Sequence, residues 1–514
     1  MENQGSSAKK SRRGLLRIVF SRTMLITLVL IVNFLLLYGF LFDLIQGLPI
    51  LFGSMVVFTA VMELLVLNGS DSVDAKLSWA VLIGVLPLFG AFLYLFVKLE
   101  PGSRVSRKLI LSSVQSSLAF LPENSGTPED PETAPIATYL LRHAHAPAFS
   151  NTDVHYYPLG EDMFRDLLTD LEQAEKFIFM EYFLVSHGHM WDSILEILKR
   201  KAAQGVEVRF LYDGMNAFTN LPYGYPGDLE RAGIRCKMHA PVRPFVSTHY
   251  NNRDHRKITV IDGHTAYTGG VNLEDCYINI GSPFGHWKDT ALRLRGDGAR
   301  GFTFLFLQMW NANERQRPFH PYLEPVKSPT SAPGWVIPYG DVPMDGENVG
   351  ETVYLTMINQ ARKAIRIMTP YLIPDEKMLS CLQMAAKRGV DVRLILPGIP
   401  DKKTAFALAR SHYRELLEAG VKIYEYTPGF VHAKVFLCDD IHAVVGTINL
   451  DYRSLRHHFE CAAYLYRVEA LGDIRRDFEN TLALCRPVRP EDLKHSPAFY
   501  RIFARFGKFF APLM

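Results

Sequence analysis

The chain has 514 residues, 48% of them hydrophobic, and its 56 basic and 53 acidic side chains leave a formal net charge of +3. That length holds two or three domains, each with its own core, and the near-balanced charge argues against a polycation built for generic nucleic-acid binding. The six cysteines (Cys236, Cys276, Cys381, Cys438, Cys461, Cys485) are widely and irregularly spaced, with no CxxC or CxxxH pattern to suggest a structural zinc or a redox pair.

The first hundred residues are apolar behind a basic lead-in of Lys9, Lys10, Arg12, Arg13, Arg17 and Arg22. Met24–Phe42 carries no charge, Leu48–Leu67 is interrupted only by Glu63, and Leu77–Val97 is uncharged but contains Pro87 and Gly90. Runs of this length approach the roughly 20 residues that cross a hydrocarbon core, so residues 1–110 read as a multi-pass membrane anchor with two to three apolar spans. The basic lead-in is too long, and the later runs too many, for a cleaved signal peptide.

Residues 111–150 read as a linker, with "PENSGTPEDPETAP" (122–135) proline-rich, acidic and without an apolar face. From residue 151 the pattern changes. "FRDLLTDLEQAEK" predicts an amphipathic helix, "FIFMEYFLV" a buried strand, "MWDSILEILKRKAAQG" a helix and "VEVRFLYD" a strand. Alternation of this kind predicts an α/β fold with helices covering a sheet. The order then recurs as "ETVYLTMINQARK", "AIRIMTPYLIP", "MLSCLQMAAKRG" and "VDVRLILPG". Individual words correspond too, "AAQGVEVRFLYD" with "AAKRGVDVRLILPG" and "LERAGIRCKMHAP" with "LLEAGVKIYEYTPG". These are two copies of one unit, 151–323 and 344–496, joined by a Pro/Gly-rich linker at 324–343 and followed by an amphipathic segment at 497–514.

Each copy carries His-x-Lys-x-x-x-x-Asp: His255, Lys257 and Asp262 in the first, His432, Lys434 and Asp439 in the second. On a strand, positions i and i+2 share a face, so each histidine projects with its lysine. An imidazole beside an ammonium is unfavourable alone and becomes sensible around an anion. Downstream, Asn272 and Asn449 follow their histidines at equal distance, and Asp289 and Glu460 come after them. Gly269 and Gly270, or Gly446 and Thr447, are small residues past which a backbone approaches a phosphate closely. Two such units packed about a pseudo-two-fold axis bring both constellations to one shared site. His264, His286, His442, His457 and His458 fall outside the pattern and read as ordinary surface or core residues.

The paired motifs, with "GGVNLED", "HWKDT", "TPYLIPD" and "GTINLDYRS", resemble the phospholipase D superfamily and, within it, the bacterial cardiolipin synthases. The resemblance covers nearly the whole chain. It implies N-terminal transmembrane helices followed by two duplicated phospholipase D-like α/β/α units with one active site, in a multi-pass protein of the bacterial cytoplasmic membrane. It implies a phosphatidyltransferase that acts on phosphatidylglycerol among anionic membrane lipids, without nucleic acid, metal or other cofactor. His255, Lys257, Asp262, His432, Lys434 and Asp439 would be catalytic, with His255 as nucleophile and His432 as acid and base. Asn272, Asn449, Gly270, Thr447, Asp289 and Glu460 would bind phosphate or support the site, and either Asp262 and Asp439 or Asp289 and Glu460 would orient the imidazoles. The first half departs from the superfamily's usual Ser or Thr and Glu by having Gly270 and Asp289, which suggests unequal roles for the halves. A membrane-bound hydrolase, a transferase using another donor such as phosphatidylethanolamine, and a scaffold with a retired site are the alternatives; the intact histidines and lysines argue against the last. The C-terminal "AFYRIFARFGKFFAPLM" suits an interfacial amphipathic helix as well as one docked on the core.

Overall fold

The computed structural model describes residues 31–35, 49–99, 104–123, 126, 128–216, 220–241, 252–325, 332–493 and 507–513. The chain divides into two compact units, one of Met1–Arg104, Arg243–Thr248 and Phe509–Met514, the other of Val105–Val242 and His249–Lys508.

In the first unit, α1 (Pro49–Leu67), α2 (Val73–Val85) and α3 (Pro87–Leu99) pack around Met62, Val66, Trp79, Ile83, Ala91 and Tyr94. Ser72 caps α2 by accepting the Ala75 N–H at 3.3 Å, which satisfies one of the orphan donors of the first turn. The expectation of membrane-spanning helices is overturned here: among the described residues no helix is long and apolar enough to cross a membrane. The Leu77–Val97 run is cut at Leu86, whose φ of −130° and ψ of 73° end α2, and Pro87 opens α3. Each of these helices has 13 residues, roughly 20 Å at 1.5 Å per residue, against a core of about 30 Å. Within α1 the apolar run is interrupted by Glu63. The Met24–Phe42 run, apart from residues 31–35, lies outside the described residues. The multi-pass membrane assignment is corrected accordingly, and membrane embedding is not shown by the described residues. Most of the C-terminal amphipathic segment also lies outside the described residues.

The second unit holds α4 (Arg104–Ser117), α5 (Ala134–His143) and two large sheets. The first sheet is built from β1 (Thr152–Tyr157), β2 (Phe177–Tyr182), β3 (Glu207–Asp213), β4 (Arg235–His239), β5 (Lys257–Ile261), β6 (Thr265–Gly269) and β8 (Ala291–Gly296), with β7 (His286–Lys288) apart from it. Its order is β1-β8-β6-β5-β2-β3-β4. The second sheet uses β9 (Trp335–Asp341), β10 (Ala364–Met368), β12 (Asp391–Pro397), β13 (Lys422–Tyr426), β15 (Val435–Cys438), β16 (His442–Gly446), β18 (Glu460–Tyr466) and β19 (Cys485–Pro487), while β11 (Leu372–Ile373) pairs with β17 (Leu450–Asp451) apart from it. Read from the other edge, its order is β9-β18-β16-β15-β10-β12-β13-β19. Strand for strand this repeats the first sheet, with β19 added at one edge, so the duplicated α/β unit is present.

The helices alternate with the strands as the apolar periodicity predicts. They are α6 (Gly160–Glu172), α7 (His189–Ala203), α8 (Tyr225–Arg231) and α9 (Ala299–Trp310) in the first half, and α10 (Val349–Gln360), α11 (Glu376–Lys387), α12 (Lys403–Glu418), α13 (Tyr452–Arg456) and α14 (Ala470–Ala483) in the second. α9 is buried along its whole length and packs on β2 and β5 of one sheet and β9 of the other. Ile258, Val260, Ala266, Leu292 and Leu294 from the first sheet join Val435, Leu437, Ala443, Val445 and Ala463 from the second in one core. Alternate residues of the same strands, Ile261 and Tyr267, or Phe436, Cys438 and Val444, enter separate cores beneath the covering helices. This is the two-face alternation expected of strands buried on both sides.

Candidate active site

β5 begins at Lys257 and β15 at Val435, so each histidine sits just before its strand. What fixes the histidines is pairing between the halves. Asp254 forms a parallel bridge with Phe459, and the residues that follow are His255 and Glu460. In the other half β14 (Gly429–Val431) pairs parallel with β7, with Val431 opposite Lys288, and the residues that follow are His432 and Asp289. The same register in both places sets each imidazole beside the acid of the opposite half. His255 Nδ1 lies 3.0 and 2.9 Å from the two Glu460 carboxylate oxygens, and His432 Nδ1 lies 2.6 Å from Asp289 Oδ2. Backbone bonds hold the arrangement, His255 N–H to Phe459 C=O at 2.9 Å and His432 N–H to Lys288 C=O at 2.8 Å.

The motif aspartates do other work. Asp262 accepts the backbone N–H groups of Glu175, Lys176 and Phe177 at 2.8, 2.7 and 2.8 Å. Asp439 accepts those of Arg362, Lys363 and Ala364, each at 2.8 Å. Both adopt a positive φ, 52° and 51°, which Asp tolerates better than most residues. They tie the turn after the motif strand to the entry of β2 or β10, away from the imidazoles. Asp262→Ala therefore loses three N–H···carboxylate bonds and a tolerated turn conformation. It is expected to destabilise the protein by about 3 kcal/mol, read as a lower melting temperature, while folded enzyme keeps most of its turnover.

The unequal acids match their surroundings. A Cβ on Gly270 would lie 2.0 Å from Asp289 Oδ1, so only glycine leaves room for the Asp289 carboxylate, which also accepts the Thr290 N–H at 2.8 Å. In the other half Thr447 occupies that position and its hydroxyl donates to Glu460 Oε2. Gly269 and Gly446 allow close strand approach, since an added Cβ would meet Thr290 C=O and Cys461 C=O. Asn272 is engaged by its own half, its Oδ1 accepting Leu184 N–H at 3.0 Å and its Nδ2 donating to the Tyr277 hydroxyl at 2.7 Å. Asn449 Oδ1, by contrast, is buried without a hydrogen-bond partner among the described residues.

Both histidines are 7% exposed and both lysines 1%. Burial, with Lys257 adjacent, holds His255 well below the ordinary histidine value, and His432 and Lys434 also act on it. The two His-Lys pairs thus share one electrostatic environment. Burial and Lys434 bring His432 down to about 4 against the opposing pull of Asp289. Burial lowers Lys257 to about 8 and Lys434 to about 7. Burial alone would raise Asp289, but His432, Lys434 and the Thr290 N–H leave it below the usual carboxylate range. Glu460 is pushed well above that range by burial, Lys257 opposing. Lys257 Nζ donates to His255 C=O at 2.8 Å, and Lys434 Nζ lies 2.9 and 3.0 Å from the two ring nitrogens of His432. Aromatic rings wall the site, Phe183 against His255 and Tyr277, Trp287 and Phe430 against His432.

The pattern of the sequence did not single out the residues that lock the motif. Asp213 receives Asp254 N–H at 3.0 Å and pairs with Arg253 at 3.2 Å, both fully enclosed. Arg256 Nε donates to Glu460 C=O at 3.2 Å. The signal was available in "RDHRK", which places four further charges around the histidine at a point where the chain must be buried. Glu181 and Tyr182 end β2 inside the protein: Tyr182 shares a 2.8 Å hydrogen bond with Thr259, and burial pushes Glu181 well up.

A family model described as "Cardiolipin synthase, PLD-like domain" matches residues 167–279 and 354–482, one match in each half. A cardiolipin synthase of Geobacillus sp. is 35% identical over 92% of this chain and 94% of its own length. The chain belongs to the cardiolipin synthase family. A cardiolipin synthase of Alkalihalophilus pseudofirmus is 34% identical over 85% of this chain and 88% of its own length. An uncharacterised protein of Streptococcus mutans is 47% identical over 88% of this chain and 99% of its own length. Among solved structures, phosphatidylserine synthase of Haemophilus influenzae matches with a TM-score of 0.57 at 15% identity, covering 74% of this chain and 97% of that one. At that identity the likeness bears on the fold alone, and it agrees with the duplicated α/β architecture of this family member.

Proposed function

We propose that the protein is a phosphatidyltransferase that makes cardiolipin and glycerol from two molecules of phosphatidylglycerol through a covalent phosphohistidine. The observation that carries this reading is the crossed pairing, His255 on Glu460 and His432 on Asp289, which makes one two-histidine site from both halves. Family membership supplies the substrate class.

The phosphodiester enters between Lys257 and Lys434, which offset its charge, and the Asn449 Nδ2 hydrogens would donate to a non-bridging oxygen. His255, held neutral by burial, attacks phosphorus through Nε2. The bond from phosphorus to the glycerol oxygen breaks, and His432 gives its proton to that oxygen. Asp289, ionised and bonded to Nδ1, stabilises the imidazolium that His432 needs to be, and the arriving anion favours that proton further. In the second half-reaction the terminal hydroxyl of another phosphatidylglycerol attacks phosphorus and passes its proton to His432. The phosphorus–nitrogen bond then breaks, releasing cardiolipin and neutral His255. Gly270 and Thr447 act by shaping the two acids, Asn272 by holding Leu184 and Tyr277 in place.

Incubating the detergent-purified protein with phosphatidylglycerol alone tests the reading. Cardiolipin with equimolar glycerol supports it; phosphatidic acid without cardiolipin would make the protein a hydrolase.

The site also predicts a pH profile. Productive binding needs a neutral histidine and cationic lysines. kcat/KM therefore rises as His255 loses its proton, well below the ordinary histidine range, and falls as Lys434 and Lys257 lose theirs near 7 and 8. Lys434→Arg keeps its charge at every accessible pH and should carry the falling limb to higher pH, at a lower maximal rate. A falling limb unmoved in that variant would show that the lysines do not set it.

A further inference from the structure

His458 has no part in the chemistry above, yet it stands at the nucleophile. Its ring centroid is 5.5 Å from that of His255, and its Nδ1 is 3.6 Å from Glu460 Oε1. Both of its ring nitrogens are buried with no hydrogen-bond partner among the described residues, an arrangement whose desolvation the surrounding protein leaves uncompensated. His255, His458 and Glu460 each offer one donor atom, and those atoms lie within 4.8 Å of one another. Donors around a tetrahedral zinc ion, with bonds of about 2.0–2.1 Å, sit roughly 3.4 Å apart. The separations here, 3.0 Å from His255 Nδ1 to Glu460 Oε1 and 3.6 Å from His458 Nδ1 to that same oxygen, bracket that edge.

We infer that His255, His458 and Glu460 form an inhibitory binding site for a zinc-class transition-metal ion. The ion takes the place of the proton that His255 Nδ1 shares with Glu460 and is held by two imidazole nitrogens and one carboxylate oxygen. A fourth position is left for water or a phosphate oxygen. With Nδ1 on the metal, the displaced proton moves to Nε2, and His255 no longer presents a lone pair to phosphorus. The donor set selects the metal: two nitrogens suit Zn2+, Co2+ or Ni2+, whereas Mg2+ and Ca2+ require oxygen ligands. The cations Lys257, Arg253 and Arg453, which all act on His458, further oppose an ion that cannot draw on imidazole bonding.

The inhibitory consequence rests on the proposed function; the binding does not, so the two are measured separately. The full-length metal-free protein is titrated with Zn2+ against a chromogenic chelator, alongside His458→Asn and His458→Gln variants checked for unchanged melting. The wild type should hold one zinc ion more tightly than either variant, by roughly 10-fold or more, with Mg2+ and Ca2+ failing to compete. In the lipid assay, Zn2+ should stop the wild type, a chelator should restore it, and His458→Asn should keep its untreated rate while tolerating at least tenfold more zinc. Equal zinc affinity in wild type and both variants, or equal inhibition of wild type and variant, would overturn the site. Differential binding in a protein that turns over no lipid would leave the site standing and sink the proposed function instead. If both variants melt early, His255→Asn removes a second ligand and should show the same loss of affinity.

Discussion

His255→Asn and His432→Asn are each expected to lower cardiolipin formation by about 10⁴-fold or more, and the double variant should be little worse than either. The reason is that the two imidazoles act as one device. Without His255 there is no nucleophile; without His432 the glycerol oxygen must leave as an alkoxide. The roles separate when the leaving group is changed. A phosphatidyl ester of p-nitrophenol needs no proton to depart, so His432→Asn should release nitrophenol in a burst close to one per chain and then stall. His255→Asn should release none. General acid catalysis contributes roughly 10²–10⁴-fold, which sets how much of the His432→Asn defect this donor rescues. Equal rescue of both variants would contradict the assignment of His255 as nucleophile.

The second large effect belongs to the crossed acids. Glu460→Gln and Asp289→Asn keep the shapes of the pairs but offer an amide where the Nδ1 hydrogen bond needs a carboxylate. Loss of the correct tautomer in such a pair costs about 10⁴-fold in a serine hydrolase triad, and a loss of roughly 10²–10⁴-fold is expected here. The two variants should differ in pH response. Asp289 is ionised and raises His432 toward protonation, so Asp289→Asn chiefly impairs the step in which glycerol leaves, and the p-nitrophenyl donor should partly rescue it. Glu460→Gln impairs the orientation of His255 and should not be rescued. Stability moves the other way. Burial raises Glu460 well above the value it has in the unfolded chain, so its contribution is fully present below the unfolded value and is lost as pH climbs through the folded one. Glu460→Gln removes that loss, and at pH 8 its melting temperature should be no lower than that of the wild type. A variant that is inactive because it has unfolded would contradict this.

Much of the architecture was legible because it rests on local periodicity. "VEVRFLYD" and "VDVRLILPG" alternate with amphipathic helices, and they became β3 and β12 at equivalent places in two sheets of the same order. The His-x-Lys spacing was legible for the same reason, although both histidines proved to precede their strands. Long-range pairing was not legible. Glu460 stands 205 residues from His255, and nothing near either residue in sequence says that the two share a hydrogen bond. The motif spacing grouped Asp262 and Asp439 with the imidazoles, yet a positive φ and three nearby N–H groups made each of them a clamp on a strand entry. Gly270 looked like a departure from the superfamily pattern and proved to be the space that Asp289 needs. The apolar run Leu77–Val97 read as one element because hydropathy does not register the break that Pro87 imposes after Leu86.

A covalent intermediate is tested most directly by finding the atom that carries the phosphatidyl group. The His432→Asn variant is mixed with the p-nitrophenyl donor bearing labelled phosphorus, quenched in alkali where phosphohistidine survives, and digested for peptide mapping. Close to one label per chain is expected, on the peptide containing His255, chased into cardiolipin when phosphatidylglycerol and added imidazole are supplied. Label on any other residue, or product formation with no labelled protein at any time, would contradict a covalent intermediate at His255.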